Sequence, residues 1–119
     1  MKKIIIHNTH GRDDIERASL AFVMANVARS SNQHVIVLLT IDGVWVATQG
    51  YAAGLQAPGF APLSDLIQQY VDNDGQIWVC EINTKPRNIT ANDLIEGAEL
   101  IGVAVAVEIL TNGVNGLSF

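Results

Sequence analysis

Gln76-Ile77-Trp78-Val79-Cys80-Glu81-Ile82 is a short apolar run preceded by Gly75 and followed by polar Asn83-Thr84. Its length and bounding residues read as a buried strand over residues 76–82. In open α/β sheets, ligands collect outside the carboxyl ends of the strands. Cys80, the only cysteine of the chain, falls near such an end. Two readings of it stand side by side. Free cysteine is among the most buried residue types and packs as a small hydrophobe. A thiol close to Lys85 and Arg87 has, instead, the surroundings that lower a thiol pKa and make a nucleophile.

The segments on either side of this run set the fold. Lys3-Ile4-Ile5-Ile6-His7 is continuously β-branched, as in strands buried on both faces of a parallel sheet. Asp13 and Glu16 have capping-box spacing and open a helix that runs to about Ser30. From Leu20 onward this helix is apolar nearly all round, which predicts burial on two sides, one of them against a neighbouring subunit. Ser31-Asn32-Gln33 reads as a turn, and residues 34–41 read as a second buried strand. Residues 44–48 fit a short helix or an extended piece equally well. Residues 49–60, rich in Gly and Ala, read as a long loop of the kind used for function or assembly. Pro62 opens a helix through Leu63, Leu66, Ile67, Tyr70 and Val71, which Gly75 ends. After the Cys80 strand, residues 83–88 read as a loop. Thr90 and Asp93 then cap a predicted helix carrying Leu94, Ile95, Ala98 and Ile101. Residues 102–110 suit a strand or a helix. Asn112-Gly113 and Asn115-Gly116 are turn signals, with a short edge strand expected over residues 116–119. This alternation predicts one α/β unit over residues 1–119, a three-layer sandwich on a mostly parallel sheet of about five strands.

Composition narrows the function classes. Of 119 residues, 49% are hydrophobic and only 16% charged, too few to cover a small monomer, so apolar surface is expected to be buried between subunits. The net charge is −5, and the seven Lys and Arg form no basic stripe, which disfavours nucleic acid and anionic membrane as partners. No apolar stretch reaches the ~20 residues of a membrane helix. Met1-Lys2-Lys3 and three isoleucines running into polar His7-Asn8-Thr9-His10 do not form a secretory leader, so a cytoplasmic location is expected. The Asn88-Ile89-Thr90 sequon is then idle.

Other chemistries fit poorly. His7 and His10 lack further ligands at metal-site spacing, so no metal is expected. Gly11 belongs to neither the dinucleotide fingerprint nor the Walker pattern, and no cofactor is expected. No serine sits in a nucleophile elbow. A resolving cysteine for peroxidase chemistry is absent from the sequence. His7 reads as core packing. His10, on the loop after the first strand, emerges at the same edge as Cys80 if the sheet is parallel, where it could polarise a sulfur ligand.

Several segments in order resemble the DsrE/DsrF-like family of small α/β sulfur-relay proteins. They are Asp13-Asp14-Ile15-Glu16-Arg17-Ala18 with Ala21-Phe22-Val23-Met24-Ala25-Asn26, then Leu38-Leu39-Thr40-Ile41-Asp42-Gly43-Val44, and Gly59-Phe60-Ala61-Pro62-Leu63. Ile77-Trp78-Val79-Cys80, Leu94-Ile95-Glu96-Gly97-Ala98 and Leu117-Ser118-Phe119 complete the match. The resemblance implies a flavodoxin-like, doubly wound subunit assembling as a trimer or hexamer, and Cys80 as the family's sulfur-carrying cysteine. The sequence departs from the family where a second cysteine often stands, at Asn83-Thr84, and where Arg-Gly often follows, at Arg87-Asn88.

Three functions follow as expectations. In the first, Cys80 takes a persulfide sulfur from a donor protein and passes it to an acceptor, with Lys85, Arg87 and His10 supporting the anion. In the second, the chain is a non-catalytic oligomeric binding module with an inert structural Cys80. The third is a small-ligand protein with a pocket at residues 49–60 that excludes Cys80.

Overall fold

The computed structural model describes residues 3–112 and 115–119. Its five strands are β1 (Lys3–Asn8), β2 (His34–Leu39), β3 (Gln76–Cys80), β4 (Ala98–Ile101) and β5 (Asn115–Ser118). They form one sheet in the order β4-β3-β2-β1-β5, and every pairing is parallel. The α-helices are α1 (Ile15–Ser30), α2 (Leu63–Asp72), α3 (Glu81–Thr84) and α4 (Val103–Thr111).

The layering follows from the strand order. From β1 to β4 the chain steps across the sheet in one direction, then returns from β4 to pair β5 with β1. Parallel crossovers are right-handed, so a reversal of direction moves the connection to the other face. Alternating side chains divide accordingly. Ile6, Val35, Val37, Leu39, Ile77 and Val79 pack with Phe22 of α1 and Leu63, Ile67 and Tyr70 of α2. Ile5, Ile36, Leu38 and Trp78 pack with Ile101 and with Ala106 and Ile109 of α4. This is the expected three-layer α/β sandwich, and its sheet is entirely parallel.

α1 buries Ala18, Ala21, Phe22 and Ala25 at helical spacing while Met24 and Val27 are exposed. Its cap is Asp14, which accepts from the Arg17 amide at 3.0 Å, one residue later than expected. Asp13 is drawn back to the Gly11 amide at 2.7 Å and so cannot cap. α2 buries Leu63, Leu66, Ile67 and Tyr70. The Tyr70 ring meets Phe22 edge-on at 5.8 Å, locking α1 to α2. Of the ambiguous residues 44–48, the first four belong to a 3-10 stretch, Ile41–Ala47, and Thr48 follows it with extended backbone.

Several expectations are corrected. β2 ends at Leu39, because Ile41 turns to a φ of +53° and breaks the extended run. β3 stops at Cys80, and the expected loop over residues 83–88 is helical, α3 followed by a 3-10 turn at Lys85–Arg87. The predicted helix after Thr90 is only a 3-10 turn, Ala91–Asp93. Asp93 does accept from the Thr90 amide at 2.8 Å. Gly97, at φ +91°, then swings the chain into β4, where Ala98 and Ile101 pair with Ile77 and Cys80 instead of lying on a helix. Residues 102–110 fall mostly within helix α4. Asn115-Gly116 opens β5 rather than a turn, because the β1 edge offers ladder partners, Ile4 and Ile5. The Asn112-Gly113 turn signal lies outside the described residues.

Candidate functional site

β3 and β4 are neighbours, with Cys80 opposite Ile101. Their exits diverge. β3 leaves into turns whose Ile89 and Leu94 pack on the α1–α2 face, whereas β4 leaves into α4 on the other. Adjacent parallel strands that exit to opposite faces open a crevice at their carboxyl ends, the switch point of a doubly wound sheet. Cys80 is the last residue of β3 at that point. By strand alternation it lies on the α4 side with Trp78 and Ile101. Within the subunit it is buried, at 4% exposure. α4 starts one residue after Ile101, with Gly102 at its cap position, so the amides of Val103 and Ala104, too early in the helix for an intrahelical partner, lie at the same edge.

A second polar pair occupies this edge. His7 Nε2 and Thr40 Oγ1 are 2.7 Å apart, joining the ends of β1 and β2. Leu38 pairs with Trp78. Thr40 keeps an extended backbone, with φ −134° and ψ 165°. The alternation therefore carries Thr40 to the level of Cys80 on the neighbouring strand and on the same face. Burial holds the His7 imidazole below its ordinary pKa, favouring the neutral ring. The residues alone suggested only core packing for His7. Its in-register partners Leu38 and Ser118 lie far away in sequence, so no local signal could have revealed the pair.

Each of the three residues expected to support the thiolate is held by other partners. Lys85 Nζ lies 3.0 Å from Glu81 Oε1. Arg87 reaches Asp42 Oδ1 at 2.9 Å from Nη2 and the Asn83 carbonyl at 3.0 Å from Nη1. His10 Nδ1 lies 2.6 Å from Asp13 Oδ2. That hydrogen bond, together with the Gly11 amide, holds the Asp13 carboxyl below its usual range. None of these hydrogen bonds or ion pairs involves Cys80. His10 and Arg87 instead brace the loops beyond the sheet. Beside them, Arg12 stands over the Tyr51 ring at 4.5 Å, and Tyr51 stacks on Trp45 at 6.0 Å. This aromatic and cationic cluster was not foreseen, because Arg12 lies more than thirty residues before Trp45 and Tyr51.

The turn from Thr40 to Asp42, just beyond β2, is strained. A β-branched residue at positive φ is an outlier costing about 1–3 kcal/mol, and Ile41 is held in that state with its side chain half exposed. Gly43 follows where any β-carbon would run into the Asn8 carbonyl, so the β1 and β2 exits pack without intervening side chain.

A parallel three-layer α/β domain with one cysteine at its switch point is the class these features define. Residues 2–119 match the DsrE/DsrF-like family model, and the chain belongs to that family. The uncharacterized protein MJ0760 of Methanocaldococcus jannaschii is 31% identical over 109 residues, covering 92% of this chain. The chain spans only 40% of that relative's length. Among solved structures, the ychN protein of E. coli is similar with a TM-score of 0.82 at 21% identity, each chain fully covered. The protein of unknown function BT1422 of Bacteroides thetaiotaomicron has a TM-score of 0.71 at 16% identity, covering 99% of this chain and 95% of its own. At these identities the structural likenesses establish the fold.

Proposed function

We propose that the chain is a single-cysteine sulfur carrier. The observation that supports this most is the position of Cys80, the only cysteine of a DsrE/DsrF-like chain, at the carboxyl end of β3 where the sheet's exits part. The Cys80 thiolate attacks the outer sulfur of a donor persulfide. A bond forms from Cys80 Sγ to that sulfur, the donor's S–S bond breaks, and the donor leaves as a thiolate. Cys80 then carries a persulfide, with no net oxidation. An acceptor nucleophile attacks the outer sulfur and releases the Cys80 thiolate. The Val103 and Ala104 amides and the His7–Thr40 pair lie at the same sheet edge by register, and they replace Lys85, Arg87 and His10 as the proposed support for the anion. Sulfur donor and acceptor proteins are the proposed partners.

A homo-oligomer, trimer or hexamer, is proposed with it. α4 exposes Val103, Val105, Val107 and Leu110 and carries a single charge, Glu108. An apolar helix face of this kind marks a protein contact, and its start beside Cys80 lets a neighbouring copy complete the rim of the thiol.

The test is mass spectrometry of the intact protein after exposure to a persulfide donor. A gain of one sulfur atom, absent in Cys80→Ser, is expected. Equal labelling of Cys80→Ser, or no gain in the native chain, removes the proposal in favour of a binding module with an inert thiol.

A further inference from the structure

A cavity of about 400 Å³ opens on the opposite side of the molecule from α4, between α2, the residue 49–60 loop and the segment leading into β4. Pockets that hold small organic ligands begin at about this size. Its lining is mixed, with Thr48, Ser64 and Gln68 among the polar groups and an apolar floor. Val46 and Ile67 are buried there, and half-buried Val71 and Ile95 form the walls. Its charged lining groups are Asp72 and Glu96, with no Lys, Arg or His among the lining residues. Cys80 is not part of it.

The cavity is built, not a gap between mobile pieces. The Gln49 amide donates to the Asp93 carbonyl at 2.8 Å, and the Ile95 amide to the Ala47 carbonyl at 2.8 Å. Leu63 donates to the Leu55 carbonyl at 2.9 Å, tying the loop to the start of α2. Gly97 lies so close to Val71 that a β-carbon there would stand 2.9 Å from Val71 Cγ1, which closes the far wall. Asp72 is oriented by Gln68, whose Nε2 donates to its Oδ1 at 2.8 Å, and its second oxygen has no hydrogen-bond partner among the described residues. Arg29 lies near this end of α2, but its guanidinium is engaged by the Asn73 carbonyl at 2.9 Å and the Gln33 carbonyl at 2.6 Å.

We infer that this cavity is a second ligand site, independent of Cys80, that takes a small organic cation: an amine whose apolar body lies on Val46, Ile67, Val71 and Ile95 and whose ammonium faces Asp72 and Glu96. The apolar floor rewards a hydrocarbon body, and two carboxylates without a cation among the lining residues select positive charge and reject anions.

The probe is 2-phenylethylamine, compared with 2-phenylethanol, which has the same body without the charge. Titration followed by amide chemical shifts in the full chain is expected to give saturable changes centred on Ala52, Ile67 and Ile95, with the alcohol clearly weaker. Asp72→Asn and Glu96→Gln should each weaken the amine about three- to fivefold, the range of a solvent-accessible ion pair. Ser64→Phe, at an exposed α2 position on the cavity lining, should abolish binding with the helical circular dichroism unchanged. Cys80→Ser should bind the amine like the native chain, which separates this site from the sulfur-carrier proposal. Alcohol and amine of equal affinity, shifts centred elsewhere, indifference to both carboxylate changes, or no saturable shift would each overturn the inference.

Discussion

Tyr70 shows how a single side chain holds the layers together. It is fully buried, and its hydroxyl, with one proton to donate, lies 2.7 Å from the Gln76 carbonyl and 3.1 Å from that of Val35, at the starts of β3 and β2. Desolvation drives its pKa well above the usual phenol value, so it stays a neutral donor. Tyr70→Phe removes that buried donor. A loss of about 1–3 kcal/mol in urea unfolding is expected. His7 gives a pH signature. Its folded pKa is below the ordinary 6.5, so the unfolded chain takes up a proton first as pH falls. Stability is therefore full above 6.5, declines as pH falls from 6.5 through the folded value, and levels off below it. His7→Gln is expected to flatten that segment of a stability–pH curve. Asp13 acts in a lower window, where stability is lost as pH falls below 3.8 through its depressed folded value.

At the scale of elements, the segment from Thr90 to Ile101 is the instructive case. Its capping signal is real, and Asp93 accepts from the Thr90 amide and hydroxyl. Helical spacing of Leu94, Ile95, Ala98 and Ile101 then suggested continuation. Two features oppose it. Gly97 adopts a φ that other residues avoid, and the open edge of β3 offers a parallel ladder to residues 98–101. Ladder pairing and burial of Ile101 outweigh the weak preference of a single helical turn. Gly97→Ala is expected to cost about 1–3 kcal/mol, from backbone strain and from pressure on Val71, measured by thermal unfolding with the sheet's circular dichroism retained. α4 shows the reverse situation. Alternating Val and Ala read equally as strand or helix, and only the sheet below, meeting Ala106 and Ile109, selects the helix.

For the molecule as a whole, the proposed assembly rests on the apolar composition and on α4. Val107 is 52% exposed and Leu110 46%. If copies meet through this helix, Val107→Glu combined with Leu110→Lys lowers the mass measured by light scattering and leaves the far-ultraviolet circular dichroism unchanged. A native chain that is already monomeric at micromolar concentration contradicts the assembly. No helix among the described residues is long and apolar enough to cross a membrane.

The residues themselves were enough for the α/β class, the buried parallel strands, α1, α2 and the placing of Cys80 at a strand end. These depend on local patterns: β-branched runs, i, i+3, i+4 spacing, and caps. What surrounds Cys80 was not legible. Lys85 and Arg87 are its neighbours in sequence, yet α3 and the following turn carry them to Glu81 and Asp42. Thr40, about forty residues away, comes level with Cys80 because β2 pairs with β3. The β4–α4 reversal, the switch point beside Cys80 and the cavity against α2 likewise arise from pairings between segments distant in the chain. Local propensity acts over a few residues, whereas strand register and crossover direction are set by which apolar faces can be buried together, and that choice exists only once the whole sheet forms.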